Sequence, residues 1–400
     1  MKAIINGKIL LPDGVVSGKA LLFDRAVTGL SDTVPADCET IDAQGLYVSP
    51  GFVDVHIHGY LGEDASDGSL DGLRRMARGI LQNGVTSFLP TTMTVAWEEL
   101  TRAFETIRAF MAESAQPDFD GARALGCHAE GPFINPAKKG AQAGSAILSP
   151  EASRLLPWRD TLRLVTLAPE MPGGLDCVRA LRAAGVAVSI GHTNADGDTC
   201  YAALEAGADH FTHTFNAMSP LTHRGVGAAG AALASDAYAE LIADGFHVDA
   251  RLFPLMRRAK GERLVLITDC TRAGGMQDGQ YTLGGQPIFV HGVECRLADG
   301  TIAGSVLRMN DAVRNYCVHG GTPLYQAVHC AALTPARSIA MQARKGSLEA
   351  GKDDTALTLS DVLQDGFCME DNCEQQDDAR RLRRLIEGLP ARERKLILLR

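Results

Sequence analysis

Eight short apolar or β-branched runs alternate with amphipathic helical stretches from residue 52 onward, and this alternation constrains the fold of the 400-residue chain more than any other feature. The runs are "FVDVHIH", "VTSFLPTT", "ALGCHAE", "RLVTLAP", "VAVSIGH", "HFTHTF", "ELIADG" and "LVLITDC". Between them lie stretches such as "SLDGLRRMARGILQ" and "VAWEELTRAFETIRAFMAE", whose apolar residues recur at helical spacing. Strand–helix alternation implies a parallel sheet. Eight such units predict an α/β fold, a closed (β/α)8 TIM-like barrel whose working residues sit where strands end. A doubly wound open sheet is the alternative, but no GxGxxG follows the first of these strands.

The flanks read differently. Residues 1–50 contain the short strands "KAIINGKILL", "KALLFD" and "GLYVSPG", punctuated by Asn6-Gly7 and Asp13-Gly14, which favour tight hairpin turns. They are assigned to a small β-sandwich domain that a return segment at 344–361 completes. The barrel then occupies 51–343, with a β excursion near 281–305. Residues 362–400 form an atypical charged tail, in which an acidic run precedes "LRRLIEGLPARERKLILLR". Its leucines keep helical spacing but are interrupted at Gly388, Leu389 and Pro390, where a helix should break. The wording is similar to the beginning of the helix-turn-helix region of bacterial sigma factors, without a recognition helix after it. A solvated or partner-docking tail is expected, not DNA binding.

Charge and composition narrow the function classes. A formal net charge of -9 argues against a general nucleic-acid surface, although a local pocket can still hold a small anion. No unbroken apolar stretch approaches the roughly 20 residues that span a bilayer, and the first residues do not read as a signal peptide. Ten cysteines without a CxxC pair suggest reduced thiols. The expectation is a soluble cytoplasmic protein that acts on a small molecule, with no membrane or nucleic-acid partner.

Polar residues recur at the strand ends: His56 and His58 on the first, Glu130 on the third, His192 on the fifth, His213 on the sixth and Asp269 on the eighth. Residues two apart in a strand share a face, so His56 and His58 point the same way. Each residue has a structural reading, as a hydrogen-bonded strand-end histidine or a helix cap. In a barrel, however, all of them converge on one mouth, and imidazole and carboxylate together suit a divalent ion such as Zn2+. His128, two before Glu130, should face the same side. Cys270 reads as packing, and Arg272 as the partner of a neighbouring carboxylate.

"SPGFVDVHIHG", "HAEGPFINPAKKGA", "VTLAPE", "SIGHTNAD", "HTFNAMSP", "LIADGFHVD" and "LVLITDC" resemble, in chain order, the N-acetylglucosamine-6-phosphate deacetylases of the amidohydrolase superfamily. The resemblance implies a metal-dependent hydrolase that removes acetate from an amino-sugar phosphate. It implies Glu130, His192 and His213 as principal metal ligands, Asp269 as catalytic acid/base, and His56 and His58 as ligands for a second ion. Zinc is the expected metal and Fe2+ the alternative, with one or two ions per subunit. Substrate contacts are implied at Ala141, Gln142, Asn216, Ala217, Arg224, His247, Ile302, Ala303 and Gly304, and a homodimer is implied as the assembly. Gln142 stands where some relatives carry histidine. The galactosamine epimer, another N-acyl substrate, or a catalytically silent binding protein are the competing functions.

Overall fold

The structure is a computed structural model and describes residues 1–353 and the strand Ala356–Thr358. The tail expected at 362–400 lies outside the described residues, as does most of 354–361.

Eight parallel strands make the barrel: β1 (Phe52–Ile57), β2 (Val85–Thr92), β3 (Cys127–Glu130), β4 (Leu162–Leu167), β5 (Ala187–Ile190), β6 (His210–Phe211), β7 (Tyr238–Ile242) and β8 (Leu264–Ile267). Each pairs in parallel with its successor. Every residue of β1, β2, β3, β5 and β8 is buried, as expected of a parallel sheet covered on both faces.

The seam between β8 and β1 closes differently. The Asp269 N–H donates to the His56 carbonyl at 2.8 Å, and the His58 N–H donates to the Cys270 carbonyl at 2.9 Å. One turn deeper, Thr268 Oγ1 donates to Asp54 Oδ2 at 2.6 Å and the Thr268 N–H points at Asp54 Oδ1 at 3.4 Å. A buried carboxyl group thus supplements the two backbone bonds at the seam.

The helices follow their sequence periodicity. Helix α1 (Leu70–Leu81) starts at Ser69, whose hydroxyl accepts from the Gly72 N–H, and buries Leu73, Met76, Ala77 and Ile80 along one stripe. Helix α2 (Trp97–Ser114) buries Leu100, Ala103, Phe104, Ile107 and Phe110 in the same way.

Outside the barrel the chain builds two four-stranded sheets. One contains Lys2–Ile5, Ala20–Phe23, Val27–Ser31 and Glu39–Asp42; the other contains Lys8–Leu11, Gly14–Val16, Tyr47–Pro50 and Ala356–Thr358. Ile4, Ile9, Leu21, Phe23, Val48 and Leu348 fill the space between them. Asp13-Gly14 does form a hairpin, with Leu11 opposite Gly14. The hairpin expected at Asn6-Gly7 is not there. Lys2–Ile5 pairs with Ala20–Phe23 and Glu39–Asp42, whereas Lys8–Leu11 pairs with Gly14–Val16 and Tyr47–Pro50, so the dipeptide is a corner between sheets. Asn6 turns the corner in the left-handed region (φ 56°), and at Gly7 a side chain would stand 2.6 Å from Val48 Cγ2.

The excursion after β8 is an antiparallel sheet of Gly279–Leu283, Gln286–His291 and Glu294–Leu297. Gln286 Nε2 donates to the Ala141 carbonyl at 2.6 Å, which fastens this sheet to the loop after β3, over the C-terminal mouth of the barrel.

Candidate metal centre and active site

The strand ends carry their polar residues past the last regular position, in turns that bend sharply. His192 (φ 47°), His213 (φ 30°) and Asp269 (φ 51°) all lie in the left-handed region that residues other than glycine seldom adopt. Such positions cost on the order of 1–3 kcal/mol each and persist only where the surroundings over-determine them. Here they do: the Asn135 N–H holds the His192 carbonyl at 2.9 Å, and Asp269 is held at its N–H by His56 and at its carbonyl by the Ser305 N–H at 2.8 Å.

Glu130 is the hub. Its Oε1 stands 3.1 Å from both His192 Nε2 and His213 Nε2, which are 3.2 Å from each other. His56 Nε2 approaches the same oxygen at 3.4 Å, and His58 Nε2 approaches Oε2 at 3.4 Å. Asp269 Oδ1 faces the pair, 3.2 Å from His58 Nε2 and 3.5 Å from His56 Nε2. Gln142, buried, donates from Nε2 to Glu130 Oε2 and accepts the Thr94 N–H on its own Oε1 at 2.6 Å. It therefore braces Glu130.

The second nitrogen of each histidine fixes which atom faces inward. His192 Nδ1 lies 2.8 Å from the Lys138 carbonyl, His213 Nδ1 3.2 Å from the Asn216 carbonyl and His58 Nδ1 3.1 Å from the Thr91 carbonyl. A carbonyl only accepts, so Nδ1 carries the proton in each ring and Nε2 is directed at the centre. His56 Nδ1 meets a carboxylate, Glu240 Oε2, at 3.0 Å.

The electrostatics follow from burial and mutual compensation. Burial works against ionised Glu130, but the charges and hydrogen bonds of His192, His56 and His213 outweigh it and hold the carboxyl well below its ordinary range. Asp269 is likewise held down against burial by His56, His58 and His213. Burial opposes a charged His58, yet its bonds to Asp269 and Glu130 carry its pKa up to about 10. His56 is raised well above its ordinary value against the same burial by Asp269, Glu240 and Glu130. His128 goes the other way, depressed by burial and by the neighbouring His56 charge. Both its ring nitrogens are engaged, at 3.1 Å to the Val55 carbonyl and 2.8 Å to Thr166 Oγ1.

These residues fit a metal. Four donors about 2.1 Å from an ion at tetrahedral angles stand about 3.4 Å apart, and the spacings here are 3.1 to 3.5 Å. Glu130, His192 and His213 form one group able to hold an ion, and His56, His58 and Glu130 form another that shares the carboxylate. His56 Nε2 is fully buried with no hydrogen-bond partner among the described residues, an arrangement that costs free energy unless something else engages it.

The centre opens into a cavity of about 350 Å³. Glu130, His192, His213, His58 and Asp269 line it, together with Asn216, Ala217 and His247. Ala141 and Gln142 line it after β3, and Ile302 and Gly304 line it from the excursion, together with Met93, Leu283 and Lys138. His247 Nδ1 is held by Asp244 Oδ2 at 2.6 Å. Three residues singled out in the sequence are not part of the lining. His56 lies behind it, Ala303 turns into the core with its N–H on the Cys295 carbonyl, and Arg224 sits in the exposed segment 220–226. Arg272 pairs with Asp67 at 2.8 Å, and Cys270 is buried.

Two residues here went unnoticed in the sequence, Asp54 and Glu240. The signal was present for both: a lone carboxylate inside an apolar strand, as in "FVDV" and "YAELI".

The sequence profile of the amidohydrolase family matches residues 47–361. The N-acetylglucosamine-6-phosphate deacetylase of Bacillus subtilis (strain 168) is 36% identical over 367 residues, 90% of this chain and 90% of that protein. The N-acetylgalactosamine-6-phosphate deacetylase of Escherichia coli O157:H7 is 36% identical over 361 residues, 89% of this chain and 94% of that protein. Among solved structures, the N-acetylglucosamine-6-phosphate deacetylase from Pasteurella multocida superimposes with a TM-score of 0.84 at 32% identity, covering 88% of this chain and 93% of that one.

Proposed function

The chain belongs to the amidohydrolase family, and from that premise we propose that it hydrolyses N-acetylglucosamine 6-phosphate to glucosamine 6-phosphate and acetate. The observation that carries this reading is the convergence of His192 and His213 on Glu130 Oε1, at 3.1 Å each, with Asp269 beside them in the lining of one cavity.

Glu130, His192 and His213 would hold a divalent ion, with zinc the proposed metal, and His56 and His58 together with Glu130 would hold another. Such an ion acidifies a water and polarises the amide carbonyl. Asp269 accepts the proton of the attacking water and delivers it to the departing sugar amine, so one carboxylate serves as base and then acid. Gln142 keeps Glu130 in place, and Met93 and Leu283 supply apolar wall. Asn216, Ala217 and His247 would receive the sugar phosphate. Arg224 offers a permanently charged fork suited to phosphate. Its exposed position outside the lining suits a role across the interface of a homodimer, which we propose as the assembly. No described helix is long and apolar enough to cross a membrane, and the eight described cysteines are free, which supports a cytoplasmic setting.

The galactosamine epimer is a second reading, because the Escherichia coli O157:H7 relative matches at the same 36% identity. Steady-state kinetics on both phosphorylated epimers and their unphosphorylated forms test the proposal. The highest kcat/KM is expected on N-acetylglucosamine 6-phosphate, and equal turnover of the unphosphorylated sugar would refute it.

A further inference from the structure

Glu240 is a carboxylate in the middle of β7, fully buried in an otherwise apolar strand. Burying such a charge is costly unless it is compensated. Among the described residues no lysine or arginine pairs with it; its one ion-pair partner is His56. Its Oε2 meets His56 Nδ1 at 3.0 Å and also accepts the backbone N–H of His213 at 3.0 Å. A single oxygen therefore touches a residue from each of the two groups that can hold an ion. His213 needs that restraint, because its backbone sits in the left-handed region.

The contrast with the other histidines is chemical. Among the four imidazoles directed at Glu130, His58, His192 and His213 each rest Nδ1 on a neutral peptide carbonyl, whereas His56 rests it on a carboxylate. A charged acceptor fixes the ring and raises the basicity of the opposite nitrogen more than a carbonyl does. A rival role for Glu240, as a ligand in the neighbouring group with His56 and His128, is disfavoured because His128 already has both nitrogens engaged.

We propose that Glu240 is the positioning residue that makes His56 a metal ligand and ties the His56/His58 half of the centre to the Glu130/His192/His213 half. This rests on the reading of the cluster as a metal centre, and the test separates the two. Full-length protein stripped of metal is titrated with Zn2+ against a chromophoric chelator, in the wild type and in Glu240→Gln, His56→Ala and the double variant. Two affinities are expected in the wild type, of which His56→Ala abolishes one. Glu240→Gln should weaken that same one about 10- to 100-fold, and the double variant should match His56→Ala. Unchanged affinities in Glu240→Gln, a loss confined to the site that survives in His56→Ala, or a wild-type affinity indifferent to His56 would each overturn the proposal. Failure of the wild type to take up any Zn2+ would instead overturn the metal-centre reading. Should Glu240→Gln not fold, the native zinc-loaded protein still decides. In histidine-labelled protein, two-bond 1H–15N couplings report the ring tautomers. A proton on His56 Nδ1, shifted downfield of those bound to carbonyls, is expected, and a proton on Nε2 would refute the assignment.

Discussion

Replacing Asp54 by asparagine should change how stability responds to pH, with a sign the structure fixes. Asp54 is fully buried at the β1–β8 seam; burial pushes its carboxyl up to about 7, against the opposing hydrogen bonds from Thr268 and the His56 N–H. In the unfolded chain the same group titrates near 3.8. Between these values the folded state keeps a proton that the unfolded state has released, so the native protein loses stability as pH rises through the window and is level above it. Three units at 1.36 kcal/mol each give about 4 kcal/mol in all, of which about 2.3 kcal/mol falls between pH 5 and 7, where the folded group is half titrated at the upper end. Asparagine has the same shape and does not titrate. Its amide oxygen can accept the His56 and Thr268 N–H groups and its Nδ2 can donate to the Thr268 hydroxyl, as the protonated acid does. The variant should therefore stay close to the wild type near pH 5 and gain on it by about 2 kcal/mol on the way to pH 7. Urea unfolding of both proteins in chelator, at several pH values, isolates the difference because the other titrating groups are common to both. Parallel stability curves, or a variant that falls behind as pH rises, would show that Asp54 is ionised in the fold and that the seam argument is wrong.

Three further outcomes are expected. Asp269→Asn should lower kcat by about 100- to 10,000-fold while metal content, read by elemental analysis, stays at the wild-type level. Because His56 and His58 are raised in the metal-free protein, His58 up to about 10, both rings hold protons at neutral pH. An ion bound there must displace them, so its affinity should increase with pH, and calorimetry in buffers of different ionisation enthalpy should register proton release; heats independent of buffer would contradict this. Gly59→Ala would place a Cβ 2.6 Å from the Arg272 backbone nitrogen and against the Glu63 carbonyl, neither of which can swing aside. A loss of about 1–3 kcal/mol or more, seen as a lowered melting temperature, is expected.

Local chemistry was legible wherever one element carries its own signal. The Ser69 cap and the Leu73, Met76, Ala77, Ile80 stripe announce α1, and the alternation of such stripes with buried apolar strands announces the barrel. Glu130, His192, His213 and Asp269 could be read as strand-end residues because a parallel barrel turns all its strand ends to one mouth. Asn6-Gly7 misled because the dipeptide specifies only a reversal. Whether a partner strand lies alongside is decided by Val48 and the strands at 20–23 and 39–42, far along the chain.

What the sequence determined by itself was therefore the kind of element at each place and the donor atoms available at its end, since both depend on residues within a turn or two. Tertiary structure alone decided what each donor meets. His56 finds its carboxylate 184 residues away on β7, Asp54 finds Thr268 across the seam 214 residues on, and Arg224 falls outside the cavity its chemistry suggested. The physical reason is that a hydrogen bond acts over about 3 Å, so side-chain function is set by which strands barrel closure brings together and not by distance along the chain.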